Sequence, residues 1–144
     1  MAISQVKVSS RIGKSFKVDV NCSHPFVIDQ PAAMGGTDLG PNPLEVFLAS
    51  LSSCICSIGR IVAMQRRIRL NSIEVEIEGD IDKDFLMGET NEGIAGFTEI
   101  RGKVRIDANL SEKEKEEFLE EVERRCPIGD NIIKASNFIC KIIK

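Results

Sequence analysis

The fold depends most on the segment of residues 35–67, GGTDLGPNPLEVFLASLSSCICSIGRIVAMQRR. Its composition changes at Asn42 from a glycine-rich loop to a long apolar run. Asn42 suits a helix N-cap, Pro43 suits the first helical position, and Glu45 stands three residues after the cap. The run that follows is apolar on most helical faces and ends in two arginines, which suit a helix C-terminus. The pattern therefore predicts a long, buried central helix.

Alternating apolar and polar residues on both sides of this helix predict β-strands. Residues 4–30 alternate with a break at Gly13 and Lys14, which indicates a hairpin followed by a third strand. Residues 72–81, SIEVEIEGDI, and residues 97–110 give two further strands, and the apolar residues 137–144 give a last one. Because period-two alternation leaves one polar face, we expect an antiparallel sheet that is covered on one side.

Two shorter helices are predicted between these last strands. Ser111 and Glu114 match a capping box ahead of a charged helix with a narrow apolar stripe. Pro127 disfavours helical backbone in the residue before it, so this helix should end near Cys126. A short helix is expected near residues 129–136. The resulting order, βββ-α-ββ-α-α-β, predicts an α+β fold.

Length and charge limit the protein class. The 144 residues suit one domain, 1–144, with a single core. The net charge of −3 and the spread of cations along the chain argue against a nucleic-acid partner. There is no continuous apolar run of about 20 residues for a membrane span, and the N-terminus lacks the apolar segment of a signal peptide. We therefore expect a cytoplasmic protein without a membrane partner.

Five cysteines occur in the chain, and an odd number in a cytoplasmic protein does not indicate a structural disulfide framework. With a single histidine and no CxxC pair, the sequence predicts neither a metal site nor a bound cofactor. The cysteines are therefore either inert core residues or a redox pair.

Cys54 stands ten residues into the predicted helix, roughly 15 Å from its N-terminus. The helix dipole acts mainly over the first turn and so cannot lower the pKa of this thiol. A reactive Cys54 therefore needs a cation from elsewhere in the fold, and Arg11 is the candidate. Cys56 points to roughly the opposite helix face and cannot pair with Cys54 within the helix.

Cys126 has the sequence context of an accessible thiol, because it follows two arginines at a predicted helix end. Spacing alone leaves two interpretations open. Cys54 and Cys126 are either a disulfide-forming pair or two unrelated helix cysteines.

The segment GTDLGPNPLEVFLASLSSCICSI, residues 36–58, resembles the signature of the OsmC/Ohr family. In that signature a glycine-rich loop and an (N/S)PxE helix start lead to a cysteine in a central helix. Residues 124–128, RRCPI, are similar to the family's second cysteine and its following proline. Residues 10–13, SRIG, resemble the loop that supplies the family's arginine. The predicted element order also fits, so the resemblance covers nearly the whole chain and implies an intertwined homodimer.

The resemblance implies thiol-dependent reduction of hydroperoxides, chiefly organic ones, with hydrogen peroxide as a further substrate. It implies that Cys54 is the peroxidatic thiolate and that Cys126 is the resolving thiol. The sulfenic acid on Cys54 would condense with Cys126 to a disulfide, which an external dithiol donor would reduce. By the same resemblance Arg11 holds the thiolate, and Glu45 orients Arg11.

Glu45 has two interpretations. In the hydroperoxide-reducing branches the glutamate directly follows the NP pair, whereas here Leu44 occupies that place, as in other OsmC-like branches. Asn42 and Glu45 also match a capping box, so Glu45 is either a helix cap or the orienting residue. In a straight helix Glu45 lies about 13 Å from Cys54 along the axis, so the two residues can share a site only through a long arginine bridge or from two different chains. We expect the second, with the active site at a dimer interface.

A second functional hypothesis is an OsmC-like redox or small-ligand-binding module without peroxidase turnover. Among the other residues, Cys22 and Cys140 have alternating contexts and are expected in the core, and His24 has no evident partner. Residues 82–96 are predicted to form a loop that either covers the site or lies apart from it.

Overall fold

The structure is a computed structural model that describes residues 1–143. These residues form two compact units, Met1–Phe47 and the chain from Leu48 onward. The boundary falls inside the central helix, α1 (Pro43–Gln65). The assignment of residues 1–144 to one domain stays a prediction.

The first unit contains a three-stranded antiparallel sheet in the order β1-β2-β3. Its strands are β1 (Ser9–Ile12), β2 (Val18–Asn21) and β3 (Phe26–Ile28), followed by a 3₁₀ turn at Ala32–Met34. The predicted hairpin and third strand are therefore confirmed. The first strand begins later than the alternation suggests, because Val6 and Val8 lie before it and are exposed.

The second unit combines most of α1 with a long hairpin and two helices. Its further elements are β4 (Leu70–Ile81), α2 (Lys83–Leu86), β5 (Phe97–Ala108), α3 (Glu112–Arg125) and α4 (Pro127–Ile133). Strands β4 and β5 pair antiparallel, with Ile73 opposite Ile106 and Val75 opposite Val104. The fold is thus α+β and antiparallel, as predicted, and its described strands form two sheets where the pattern predicted one.

The core of the second unit forms where α1 and α3 pack on this hairpin. Its buried members are Leu51, Ile55, Val62, Ala63, Leu70, Ile106, Phe118, Val122 and Cys126. A Cβ added at Gly59 of α1 would collide with Cδ1 of Ile73, so the glycine permits the close approach of α1 to β4. This packing fixes the rotation of α1 and hence the direction of each cysteine on it.

Helix α1 is buried along one face only, which differs from the predicted burial on most faces. Leu51, Ile55 and Val62 are buried, whereas Met64 is 71% exposed and Ile61 is also exposed. A helix that is apolar on most faces needs other protein surface packed against those faces. The sequence pattern does not show whether the same chain supplies that surface. By length and composition alone α1 could cross a membrane, a property that core helices of soluble proteins share.

The two helices after β5 begin and end at residues that the sequence indicates. Ser111 Oγ accepts from the Glu114 N–H at 3.2 Å, and Glu114 Oε2 accepts from the Ser111 N–H at 2.7 Å, so the predicted capping box is present. Helix α3 ends at Arg125, and α4 starts directly at Pro127, two residues earlier than expected.

The predicted order βββ-α-ββ-α-α-β is wrong at two places. Residues 82–96 contain the short helix α2, which Asp82 caps through the N–H groups of Asp84 and Phe85. Residues 134–143 contain no strand, and Phe138 there is 83% exposed. A strand needs a neighbouring strand to pair with its backbone N–H and C=O groups. Neither described sheet provides that neighbour for residues 134–143, and the apolar pattern alone could not show this. The last residue, 144, lies outside the described part of the chain.

Candidate functional site

Two reduced cysteines of the second unit come together at the end of α3. Cys54 lies on the flank of the buried face of α1 and is half-buried, whereas Cys126 is 1% exposed. Cys126 has an extended backbone, with φ −77° and ψ 108°, so that it ends α3 and caps α4 at the same time. Its Sγ accepts a hydrogen bond from the Gly129 N–H at 3.4 Å. Pro127 at the first position of α4 thus holds Cys126 at a sharp, buried junction.

The surroundings of Cys54 favour its protonated form. Burial raises the pKa of the Cys54 thiol above its ordinary value, and its interaction with the Cys126 thiol raises the pKa further. The backbone N–H of Ile128, in the first turn of α4, opposes these effects because it interacts with Cys54 and lowers the pKa. The net direction is upward, so with these neighbours alone Cys54 is a thiol at neutral pH.

Two of the remaining cysteines, Cys56 and Cys22, have backbone carbonyl partners. The Cys56 thiol faces the Ile73 carbonyl oxygen at 3.8 Å, away from Cys54, as the helical spacing predicts. In the first unit, half-buried Cys22 donates to the carbonyl oxygen of His24 at 3.1 Å. The expectation that Cys140 is in the core is wrong, because Cys140 is exposed in the segment that forms no strand. Within residues 1–143 no group of three or more His, Cys, Asp or Glu side chains could hold a metal ion.

An apolar cavity of about 390 Å³ adjoins Cys126. Its lining includes Ile77, Ile100, Leu119, Ile132 and Cys126, with Arg101 and Glu123 as its charged members. The Arg101 guanidinium bonds Glu78 and Asp80, each at 2.8 Å, so its charge is balanced by neighbouring carboxylates. A cavity of this size and character suits the apolar part of a small ligand.

Arg11 and Glu45, the other two predicted site residues, belong to the first unit. Arg11 lies on β1 opposite Asp19 and is exposed. Its guanidinium makes no hydrogen bond or ion pair with any described residue. Glu45 accepts from the Asn42 N–H at 2.9 Å, while the Glu45 N–H donates to Asn42 Oδ1 at 2.9 Å. The capping role of Glu45 is therefore present, and the orienting role of Glu45 and the approach of Arg11 to Cys54 stay predictions.

The structure also contains a buried carboxylate that sequence reasoning missed. Asp29, at the end of β3, is 1% exposed and accepts hydrogen bonds from the loop that leads to α1. The hydroxyl of Thr37 is the main cause of a lowered Asp29 pKa, ahead of the backbone N–H groups of Gln30 and Leu39, and together they outweigh burial. The signal available in the sequence was an aspartate at a strand end followed by a glycine-rich loop with a threonine.

Comparison with known proteins extends these observations. The family model described as OsmC-like protein matches residues 36–141. A hydroperoxide reductase of Mycoplasma genitalium is 30% identical over 99 residues, which are 69% of this chain and 67% of the relative. An organic hydroperoxide resistance protein-like 2 of Staphylococcus epidermidis is 32% identical over 93 residues, 65% of this chain and 59% of the relative.

The fold comparison agrees with the family match. The crystal structure of an OsmC-like protein from Mycoplasma pneumoniae superposes with a TM-score of 0.79 at 20% identity, over 92% of this chain and 89% of that one. The similarity of fold and the family match across the central helix and both site cysteines lead to one conclusion. This chain belongs to the OsmC-like protein family.

Proposed function

We propose that this protein is a cysteine-based peroxidase that reduces organic hydroperoxides through a Cys54–Cys126 disulfide. The observation that carries the proposal is that Cys54 of α1 packs against the core cluster that contains Cys126, close enough for the two reduced thiols to interact. Relatives that are named hydroperoxide reductase and organic hydroperoxide resistance protein support a peroxidase-like role at the level of the family.

The proposed chemistry uses only the two sulfurs, the peroxide and a reductant. The Cys54 thiolate attacks one peroxide oxygen, the O–O bond breaks, and the alkoxide takes a proton to leave as the alcohol. The sulfenic acid on Cys54 then reacts with the Cys126 thiol, so that an S–S bond forms and water leaves. An external dithiol donor reduces this disulfide by thiol–disulfide exchange, and its own sulfurs become a disulfide.

The first step needs a cation, and the described residues of the second unit provide none beside Cys54. Because the pKa of Cys54 is raised, few molecules carry the thiolate at neutral pH unless a positive charge comes close. Arg11 is our candidate, since its guanidinium has no partner among the described residues. We propose that a homodimer brings Arg11 to Cys54, with Glu45 as the group that orients the guanidinium.

The cavity beside Cys126 supports an organic substrate. Its apolar lining suits the alkyl or aryl group of an organic hydroperoxide better than hydrogen peroxide, which has no apolar part to bury. We further propose that the protein works in the cytoplasm, where dithiol donors are available and free cysteines stay reduced.

The proposal is tested by turnover with matched cysteine variants. Reduced protein is mixed with cumene hydroperoxide and excess dithiothreitol, and peroxide consumption is followed for the wild type, Cys54→Ser, Cys126→Ser and Cys56→Ser. We expect loss of turnover in Cys54→Ser and near wild-type turnover in Cys56→Ser, because Cys56 faces Ile73 and not the site. Consumption by Cys54→Ser equal to that of the wild type would exclude the proposal.

The raised pKa of Cys54 favours a second candidate function, a small-ligand-binding or redox module without peroxidase turnover. A Cys54 thiol that stays protonated would not attack a ligand that binds in the apolar cavity beside the neighbouring Cys126. This candidate predicts that the wild-type protein consumes no hydroperoxide above the rate of dithiothreitol alone, while an apolar ligand still protects Cys126 from alkylation.

A further inference from the structure

We infer that Asp29 is a positioning residue for the proposed peroxidase site, because its carboxylate holds residues 30–42 in the conformation from which α1 begins. The inference rests on the proposed function through Glu45, which stands in the first turn of α1. Asp29 itself is at the opposite end of this loop, directly after β3.

The Asp29 carboxylate is saturated by donors from its own loop. Oδ2 accepts from the Thr37 hydroxyl at 2.6 Å and from the Leu39 N–H at 3.3 Å. Oδ1 accepts from the Gln30 N–H at 2.7 Å and from the Thr37 N–H at 3.5 Å. With 1% of its surface exposed, Asp29 has little water to replace these donors. Hydrogen bonds to a charged acceptor are about twice as strong as neutral ones, so this group is a main determinant of the loop conformation.

Backbone hydrogen bonds also join the two ends of this loop, at Asp29 and the residue after it. The Asp29 N–H donates to the Pro41 carbonyl oxygen at 3.1 Å, and the Asp38 N–H donates to that of Gln30 at 3.1 Å. A Cβ added at Gly36 would collide with the Gln30 carbonyl, and one at Gly40 with that of Val27. The loop therefore lies directly against the end of β3, where only glycine fits at these two positions.

The position of Glu45 follows from this closure. Asn42, the N-cap of α1, comes immediately after Pro41, which Asp29 holds through its N–H. Asn42 and Glu45 are in turn joined by two reciprocal hydrogen bonds of 2.9 Å. A continuous set of contacts thus runs from the Asp29 carboxylate, through the loop, to the carboxylate that we propose orients Arg11.

Loss of the Asp29 carboxylate would leave three N–H groups and one hydroxyl around an empty anion site. In Asp29→Ala we expect kcat for cumene hydroperoxide to fall by about 10- to 100-fold, the effect of a small misplacement of a catalytic group. Sodium formate in excess should restore most of kcat by occupying the place of the carboxylate, and sodium chloride at equal ionic strength should not. A residue that only stabilises the fold would change the melting temperature without formate-dependent turnover.

Asp38→Asn is the matched control for this experiment. Asp38 is exposed in the same loop and has a φ of 56°, a conformation that asparagine tolerates, so the charge change should leave kcat within about twofold. Thr37→Val removes only the 2.6 Å hydroxyl bond and should lower kcat by about fivefold, which provides a test if Asp29→Ala does not fold.

Loss of the proposed function and loss of the positioning role would give different experimental results. A wild-type protein without turnover overturns the proposed function and, with it, the positioning role. A wild-type protein that turns over, together with Asp29→Ala or Thr37→Val at full kcat, overturns the inference alone. Amide exchange at Thr37 and Leu39 gives a readout apart from activity: both should exchange faster in Asp29→Ala and slower again with formate.

Discussion

The thiol of Cys54 on α1 interacts with the thiol of Cys126 at the α3–α4 junction while both cysteines are reduced. The same interaction raises the pKa of Cys54, so the arrangement that suits disulfide formation works against the thiolate that must form first. Catalysis through this pair therefore depends on a charge from outside it, which is where Arg11 enters our proposal.

The pH dependence of Cys54 alkylation tests the role of Arg11. Because only the thiolate reacts with iodoacetamide, the rate rises as pH increases through the thiol pKa. If Arg11 approaches Cys54, Arg11→Ala should move the midpoint to higher pH, since the effects that raise the pKa are then unopposed by that cation. Lys14→Ala, which removes an exposed cation close by in sequence, is the control and should leave the midpoint in place. Equal midpoints in all three proteins would exclude Arg11.

The two interpretations of Glu45 separate by comparing Glu45→Gln with Glu45→Ala. Glutamine keeps a side-chain oxygen for the Asn42 N–H but has no charge for Arg11, so we expect a near wild-type melting temperature and a kcat lowered by about tenfold or more. Alanine should in addition lose about 1 kcal/mol of unfolding free energy. The melting temperature and the unfolding free energy come from thermal and urea unfolding, and kcat comes from peroxide turnover.

Glu114 supplies the matched control, because it forms the same capping box with Ser111 at the start of α3. Glu114→Ala should cost a similar unfolding free energy and leave kcat unchanged. Full activity in Glu45→Gln would show that Glu45 is a helix cap only.

Gly59 allows α1 to approach β4 closely, and a methyl group there would have to displace Cδ1 of Ile73. Overpacking costs about 1–3 kcal/mol, whereas alanine favours a helix interior over glycine by roughly 1 kcal/mol, so Gly59→Ala should lower the free energy of unfolding by up to about 2 kcal/mol. Gly96→Ala is the control, because a Cβ added at Gly96 meets no atom within 4 Å and the φ of Gly96 is not positive. The free energies of unfolding of the two variants are compared by urea unfolding, with unchanged m-values expected in both. Equal stability of the two variants would contradict the packing described for α1.

The cavity beside Cys126 should determine preference among peroxides. Ile132→Asn makes one wall polar and should lower kcat/KM for cumene hydroperoxide by about tenfold while leaving that for hydrogen peroxide within about twofold. Ile94→Asn, at an exposed position away from the cavity lining, should change neither value. Equal losses for both peroxides in Ile132→Asn would mean that the cavity does not bind the substrate.

Local signals in the sequence predict much of the fold. The capping residues Ser111 and Asn42 start α3 and α1 where expected, and Pro127 ends α3 by a steric effect that involves only its neighbour. These features depend on a few adjacent residues, so they can be recognised without tertiary information. The alternation in β4 and β5 is similarly local, since Ile73 and Ile106 share the face that α1 covers.

The parts that could not be predicted depend on long-range contacts. The interaction of Cys54 with Cys126 needs two helices to meet, and the spacing of the two cysteines in the sequence by itself favoured two unrelated cysteines. Asp29 is a functional candidate only because Thr37 and Leu39 return to it. The strand expected at residues 137–144 is absent from the described residues because alternation does not specify a partner strand.

The mass of the protein after one equivalent of cumene hydroperoxide without reductant shows whether Cys54 and Cys126 form a disulfide. We expect a loss of two hydrogens, and digestion under non-reducing conditions should give one linked pair of peptides that contains Cys54 and Cys126. Cys126→Ser should instead add one oxygen at Cys54 as the sulfenic acid. Unchanged mass, or a disulfide that involves Cys22, Cys56 or Cys140 in place of this pair, would contradict the account.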